Sequence, residues 1–152
     1  PGNQLALLLR ENSRKHPSQL IFSSDEGATW SSPQPLHKNL IGDRHTIKRL
    51  SDGRLFVTFR DMNKESATYG DWVAWVGTDQ DIRKGRPGQL RIRLMDNQDG
   101  TDCAYPGLEL LPDGTIVTTT YGHWIAGQPP YIVCVRFKLS DIEGKTSEPP
   151  MP

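Results

Sequence analysis

Two stretches of the chain repeat one pattern: Leu50-Ser51-Asp52-Gly53-Arg54-Leu55-Phe56-Val57-Thr58 and Leu111-Pro112-Asp113-Gly114-Thr115-Ile116-Val117-Thr118-Thr119. In each, an Asp-Gly pair comes before a run of apolar and β-branched residues, and glycine accepts the positive φ that a tight hairpin turn requires. The second copy follows the first by 61 residues, and a partial earlier copy, Leu5–Asn12, matches Leu55–Met62 at an offset of 50. Recurrence at this spacing predicts a repeated supersecondary unit.

Each copy continues into further runs that are typical of strands. β-branched and aromatic residues dominate these runs, and no long segment shows helical periodicity. A third strand is predicted at Gln19–Ser23, Trp72–Val76 and Tyr131–Phe137, and a fourth at Thr29–Leu36 and Gln89–Leu94. An all-β chain of this kind, with four antiparallel strands per copy, predicts a β-propeller. We label the strands of each blade A, the innermost, to D, the outermost.

The copies predict about three blades, with bounds at residues 1–40, 41–100 and 101–152. The first lacks its A strand, and the D strand of the last falls on the Pro-rich residues 145–152. Propellers close with four to eight blades, so three would leave apolar faces uncovered. We therefore expect this chain to be part of a longer propeller and, by itself, to be unstable or to associate.

The segment Ser23-Ser24-Asp25-Glu26-Gly27-Ala28-Thr29-Trp30 lies between predicted strands C and D of the first copy. It fits the pattern Ser-x-Asp-x-Gly-x-Thr-Trp and is similar to the Asp-box, or BNR repeat, of sialidases. An aspartate can accept hydrogen bonds from turn amides, the glycine can take positive φ, and the tryptophan can pack between strands. The motif also occurs in other propellers, so Ser23, Asp25, Gly27, Thr29 and Trp30 are interpreted as a folding element.

Two further segments resemble the sialidase (neuraminidase) superfamily, whose catalytic domain is a six-bladed β-propeller. Tyr105–Thr115 is similar to the stretch around the catalytic tyrosine, and Leu9-Arg10-Glu11-Asn12 resembles the segment that holds the second arginine of the sialidase arginine triad. The resemblance covers nearly the whole chain and implies the C-terminal half of a catalytic domain, three blades of six.

Strand order independently predicts which residues share one face. The Asp-Gly turns join strands A and B, so the starts of A and the ends of B lie together at the opposite face. That face collects arginines, tyrosines and histidines, as a site for an acidic sugar requires: Arg10, Arg44, His45, Arg60, Asp61, Tyr105, Tyr121 and His123.

The resemblance implies a role for several of these residues. A sialic acid carries a carboxylate on its anomeric carbon, which a guanidinium group binds through two parallel hydrogen bonds. The same carboxylate repels an anionic nucleophile, so a phenol activated by a carboxylate attacks instead, with retention. Tyr105 is the candidate nucleophile, and the alternative is a tyrosine that packs near the propeller axis. Arg10 and Arg60 are candidate carboxylate binders. The alternative for Arg10 is an ordinary surface arginine that follows an apolar strand.

The remaining face residues have two interpretations each. Arg44, His45, Tyr121 and His123 either contact substrate or support the strands, and Asp61 lies near the face without matching a motif. The third arginine of the triad is expected near residues 64–66, where this sequence has none, so either Arg60 substitutes or the substrate differs.

Other groups that the resemblance requires are missing from this sequence. These are the glutamate that activates the tyrosine, the aspartate acid/base and the first arginine. The chain alone is therefore not expected to catalyse. Three functions stay open: part of a sialidase-like glycoside hydrolase acting on sialic or another acidic sugar, a non-catalytic carbohydrate-binding propeller, and a structural or interaction propeller.

Composition limits the partners. With 18 basic and 18 acidic residues the net charge is zero, which favours neither nucleic acid nor a membrane surface. We expect acidic glycans and the missing blades as partners, no cofactor, and no metal, because the four histidines lack ligand spacing. Cys134 lies in an apolar run and is interpreted as a buried free thiol, with a disulfide to Cys103 as the alternative. Arg83, Arg86, Arg91 and Arg93 are interpreted as a solvated outer face. The location stays open, and a secreted or periplasmic parent is consistent with the sequence.

Overall fold

The computed structural model describes residues 4–143, which form an all-β structure. It has ten strands within that range: β1 (Leu5–Leu9), β2 (Gln19–Ser23), β3 (Gln34–Pro35), β4 (Gly42–Arg49), β5 (Leu55–Asp61), β6 (Trp72–Gly77), β7 (Leu90–Met95), β8 (Gly107–Leu110), β9 (Ile116–Gly122) and β10 (Tyr131–Phe137). Short helices, α1 (Asp79–Arg83) and α2 (Ser140–Glu143), and a 3₁₀ turn at Lys38–Leu40 lie in the connections. In this part of the chain, no helix has the length and apolar character that crossing a bilayer requires.

The strands form three antiparallel sheets in which chain neighbours pair: β1-β2-β3, β4-β5-β6-β7 and β8-β9-β10. Sheets of this kind fit part of a propeller-like arrangement. The D strand of the first predicted blade corresponds to β3 and is shorter than predicted. Of the predicted Thr29–Leu36, only Gln34–Pro35 is paired. The strand predicted at residues 145–152 lies outside the described residues.

The second sheet lies between the other two, and its middle strands are buried on both faces. Side chains alternate along β5, so Val57 and Phe59 pack in one cluster with Leu20 of the first sheet, while Phe56 packs in another with Ile116 of the third. Each of these five side chains is at most 1% exposed. Burying an apolar side chain of this size stabilises a fold by about 1.5–3 kcal/mol.

Both predicted Asp-Gly hairpins are confirmed. Gly53 has φ of 87° and Gly114 has φ of 81°, in the region where a side chain would be strained. Gly53 N donates to the Leu50 carbonyl at 3.0 Å and Gly114 N to the Leu111 carbonyl at 2.9 Å. These turns join β4 to β5 and β8 to β9.

The turn at residues 23–30 connects β2 to β3 and is held by the Asp25 carboxylate. Asp25 accepts hydrogen bonds from the Thr29 amide at 2.9 Å, the Thr29 hydroxyl at 2.6 Å and the Ser23 hydroxyl at 2.7 Å. Gly27 has φ of 94°, and its carbonyl accepts from Trp30 Nε1 at 3.0 Å. Trp30 is 39% exposed, so it packs over its own turn rather than between strands.

Two expectations about side-chain burial were wrong. Cys134 is exposed and Cys103 is the buried thiol, because β10 is an edge strand of the third sheet and turns Cys134 to its outer face. Arg91 does not belong to a solvated face, since it bonds the buried carboxylate of Asp61 at 2.7 Å.

Replacing Asp25 by Asn should lower stability at pH 7 and weaken its dependence on acid. The hydrogen bonds from Thr29, and then from Ser23, lower the pKa of Asp25 from 3.8 to about 2. Because the folded pKa lies below the unfolded one, the stability this carboxylate contributes is lost as the pH falls through that interval. Urea unfolding at pH 7, 4 and 2 measures the effect, with Asp96→Asn as control. An identical pH dependence in both variants would count against the role of Asp25.

The uncovered apolar side chains on the outer strands should make this chain associate. Leu5 and Leu7 of β1 are each 44% exposed and Ile132 of β10 is 75% exposed, and unpaired edges of apolar strands pair with other chains. Sedimentation velocity should show concentration-dependent association that Leu7→Lys and Ile132→Lys together reduce. A monomer at all concentrations would contradict this expectation.

Candidate functional site

A buried carboxylate, Asp43, gathers three arginines at the start of β4. Arg14, from the loop after β1, donates to both of its oxygens at 2.8 and 2.7 Å, and Arg60, near the end of β5, donates at 2.9 Å. Arg10 Nη1 lies 3.9 Å away. Since a single carboxylate faces three guanidinium groups, the cluster keeps an excess of positive charge.

The arginines also keep Asp43 ionised. Its side chain is fully buried, and burial alone would raise the pKa, but hydrogen bonds from Arg14 and Arg60 outweigh burial and hold the pKa below its usual value. The charge is therefore compensated by bidentate and single guanidinium bonds, the geometry in which a buried carboxylate is tolerated.

A bulge in β4 separates Arg44 from His45. Asp43 pairs with Arg60 and Thr46 pairs with Thr58, so two residues of β4 oppose one of β5. Arg44 takes φ of 63°, a strained conformation that bulges and binding sites often contain. As a result, Arg44 is exposed on the face, while the His45 ring stacks on Phe59 with 4.8 Å between centroids.

Arg44 lies against Tyr105, across the gap between the second and third sheets. Its Nη2 donates to the Tyr105 hydroxyl at 2.9 Å, and its guanidinium carbon is 4.2 Å from the centre of the ring. Tyr105 follows Ala104, which has φ of 58°, and its amide donates to Thr120 Oγ1 at 2.8 Å. The backbone of Tyr105 is therefore fixed by a hydrogen bond, while the residue as a whole is 53% exposed.

A second tyrosine stacks on the first and binds a carboxylate. The rings of Tyr105 and Tyr121 have centroids 5.9 Å apart and an interplanar angle of 28°. The Tyr121 hydroxyl donates to Asp102 at 2.6 Å, and His123 Nε2 lies 3.4 Å from the other oxygen of Asp102. The bond to Asp102 raises the pKa of Tyr121 to about 12, and the same bond lowers the pKa of Asp102.

Arg60 joins the two halves of this face. Its Nη1 donates to the carbonyls of Thr101 at 2.6 Å and Cys103 at 3.2 Å, which flank Asp102 in the chain. Its Nη2 is bound to Asp43. A continuous network therefore runs from Arg14 through Asp43 and Arg60 to the segment that carries the tyrosines.

The structure brings together six of the eight residues predicted to share this face: Arg10, Arg44, Arg60, Tyr105, Tyr121 and His123. The other two have their polar groups engaged elsewhere. The His45 ring nitrogen lies 2.9 Å from the Leu40 carbonyl, and burial lowers its pKa to about 4. Asp61 is fully buried and accepts from Thr68 and Arg91, each at 2.7 Å.

Sequence reasoning missed Asp43, Arg14 and Asp102. Asp43 stands one residue before Arg44, and Asp102 stands three residues before Tyr105. Both would have been grouped with the face if the predicted starts of the A strands had been taken a few residues earlier. Arg14 lies in a loop and has no pattern that marks it. Among residues 4–143 no group of three or more His, Cys, Asp and Glu side chains is placed to hold a metal ion.

No protein-family model and no curated protein matches this sequence. Solved structures do resemble it. A protein of unknown function from Dyadobacter fermentans matches with a TM-score of 0.71 and 18% identity, over 90% of this chain and 35% of that one. A xylan β-1,4-xylosidase from Bacillus halodurans matches with a TM-score of 0.51 and 13% identity, over 91% of this chain and 26% of that one. The chain thus spans about a third and a quarter of their lengths, and at these identities the likeness is one of fold.

Replacing Asp43 by Asn should destabilise the protein by about 3 kcal/mol, because removing one partner of a buried ion pair leaves the others uncompensated. Asp79→Asn is the matched control, since Asp79 and Arg49 are both about half exposed and such surface pairs contribute about 0–1 kcal/mol. Urea unfolding measures both variants. Equal losses in the free energy of unfolding of the two variants would show that the Asp43 cluster stabilises the fold no more than a surface ion pair does.

Proposed function

We propose that this face binds an acidic sugar and that, in the full-length protein, it belongs to a propeller glycoside hydrolase that acts on sialic or related acidic sugars. One observation carries the proposal: an arginine, Arg44, lies over an exposed tyrosine ring, Tyr105, beside an arginine cluster with excess positive charge. An aromatic ring supports the apolar face of a sugar, and guanidinium groups bind its carboxylate. The xylosidase-like fold supports a glycosidase scaffold, while the arginines favour an acidic substrate.

The arginines divide into two roles in this proposal. Arg14 and Arg60 are engaged with Asp43, so they contribute charge and position their neighbours. Arg10, 3.9 Å from Asp43 and 37% exposed in its side chain, and Arg44 keep guanidinium nitrogens for a ligand. Arg10 and Arg44 therefore bind the substrate carboxylate, and Arg60 acts through the residues it holds.

Tyr105 is the proposed nucleophile. Its oxygen forms a bond to the anomeric carbon as the glycosidic bond breaks, the leaving oxygen takes a proton from an acid, and water later hydrolyses the tyrosyl–sugar bond with retention. The phenol must give its proton to a base. Arg44 donates to the Tyr105 oxygen and stabilises negative charge on it, but it is not a base.

The second candidate is a non-catalytic face that binds acidic glycans. What favours it is the hydrogen bonding of the two tyrosines: within residues 4–143, Asp102 accepts a hydrogen bond from the Tyr121 hydroxyl, and no carboxylate bonds the Tyr105 hydroxyl. Under this alternative, the stacked rings and Arg44 form a binding platform, and the acid sugar leaves unchanged.

A hydrolysis assay separates the candidates. The full-length protein should hydrolyse a fluorogenic sialoside or glucuronide, and Tyr105→Phe should lower kcat roughly 10³-fold or more, as removal of a nucleophile does. Tyr121→Phe is the control, because it removes a hydroxyl from the neighbouring stacked ring and leaves Tyr105 intact. Acid-sugar binding without hydrolysis would establish the binding platform, and neither binding nor hydrolysis by the folded protein would overturn the proposal.

A further inference from the structure

A cleft of about 500 Å³ opens beside the arginine cluster. It is lined by residues of the loops that follow β1 and β5, together with Lys38 and Ile41. Arg14 lines the cleft while it bonds Asp43, so the cleft adjoins the face that carries Arg44 and Tyr105. Tyr69, 40% exposed, lies at the same cleft and offers a further aromatic surface for a sugar ring.

Lysines from three separate segments converge on this cleft. Lys15, Lys38 and Lys64 line it, together with His16. Among residues 4–143, the lysines in ion pairs are Lys48 with Glu109 and Lys138 with Asp113, so the cleft amines have no carboxylate partner there. Three unpaired ammonium groups around a concave surface attract an anionic ligand.

The two acidic residues of the cleft compensate the charge of its three lysines only in part. The carboxylate of Glu11 accepts hydrogen bonds from the backbone amides of Ser13 at 2.9 Å, Lys15 at 3.0 Å and His16 at 3.2 Å. It is directed into its own loop and pairs with no lysine there. Glu65 is the other acid at the cleft, so cations outnumber anions even when Arg14 is assigned to Asp43.

We propose that this cleft is a second anion subsite, which binds a further acidic unit of an oligosaccharide whose terminal acidic sugar lies at Arg44 and Tyr105. The inference rests on the proposed function and deepens it, because it selects acidic oligosaccharides over single acidic sugars. Arg14 lines the cleft and bonds Asp43, the residue that precedes Arg44, so the two subsites are neighbours in the structure. The lysine amines, on long flexible stems, bind carboxylates as point charges rather than through a planar fork.

Calorimetric titration of the full-length Tyr105→Phe variant, which keeps the aromatic ring but lacks the proposed nucleophile, with sialic acid and with its α2,8-linked trimer tests this subsite. The trimer should bind about tenfold more tightly than the monomer at low salt, since each exposed pair contributes modestly, and the advantage should shrink at high salt. The triple variant Lys15→Gln, Lys38→Gln, Lys64→Gln should lose the advantage and bind the monomer as before.

A matched triple variant, Lys48→Gln, Lys84→Gln, Lys138→Gln, removes the same charge outside the cleft and should keep the advantage. Equal loss in both triple variants would overturn the subsite, because net charge alone would then explain the affinity. Monomer binding with no trimer advantage would overturn the subsite and leave the proposed function standing. Absence of monomer binding would overturn both.

Discussion

The bond between the buried carboxylate of Asp43 and its arginines is the interaction on which the arrangement of the face depends. Arg14 comes from the loop of the first sheet, Asp43 and Arg60 from the second, and Arg60 reaches the carbonyls of Thr101 and Cys103 ahead of the third. Apolar clusters also join these sheets, but the hydrophobic effect that stabilises them is non-directional. Fixed hydrogen-bond geometry at Asp43 is what sets the relative positions of the loops at this end of the strands.

The same constraint determines which groups remain for a ligand. The Asp43 carboxylate accepts the hydrogen bonds of Arg14 and Arg60. The bulge that follows Asp43 turns Arg44 outward onto Tyr105. Positive charge is therefore concentrated where a phenol ring is exposed, and the lysines of the adjoining cleft extend that charge along the surface. A neutral chain overall thus presents a cationic face, which its net charge of zero conceals.

Strands and hairpins were predictable here because their causes are local. Asp-Gly turns and β-branched runs located β5 and β9 closely, and strand direction alone grouped Arg10, Arg60 and Tyr105. Burial and pairing were not predictable, because they depend on which sheet covers which side. Asp61 and His45 stand at the right ends of their strands but turn inward, and the Cys134 side chain is exposed because β10 is an edge strand. The role of Asp43 required knowing that three arginines distant in sequence converge on it.

A comparison of an acidic sugar with its uncharged ester shows whether this face recognises a carboxylate. NMR titration of the full-length protein with sialic acid and with its methyl ester compares two ligands that differ in the carboxylate charge and in one methyl group. The acid should bind and shift the signals of Arg44 and Tyr105. The ester should bind at least about tenfold more weakly, because a charge-assisted bidentate bond is lost. Equal affinity for the two ligands would contradict recognition of the carboxylate by this face.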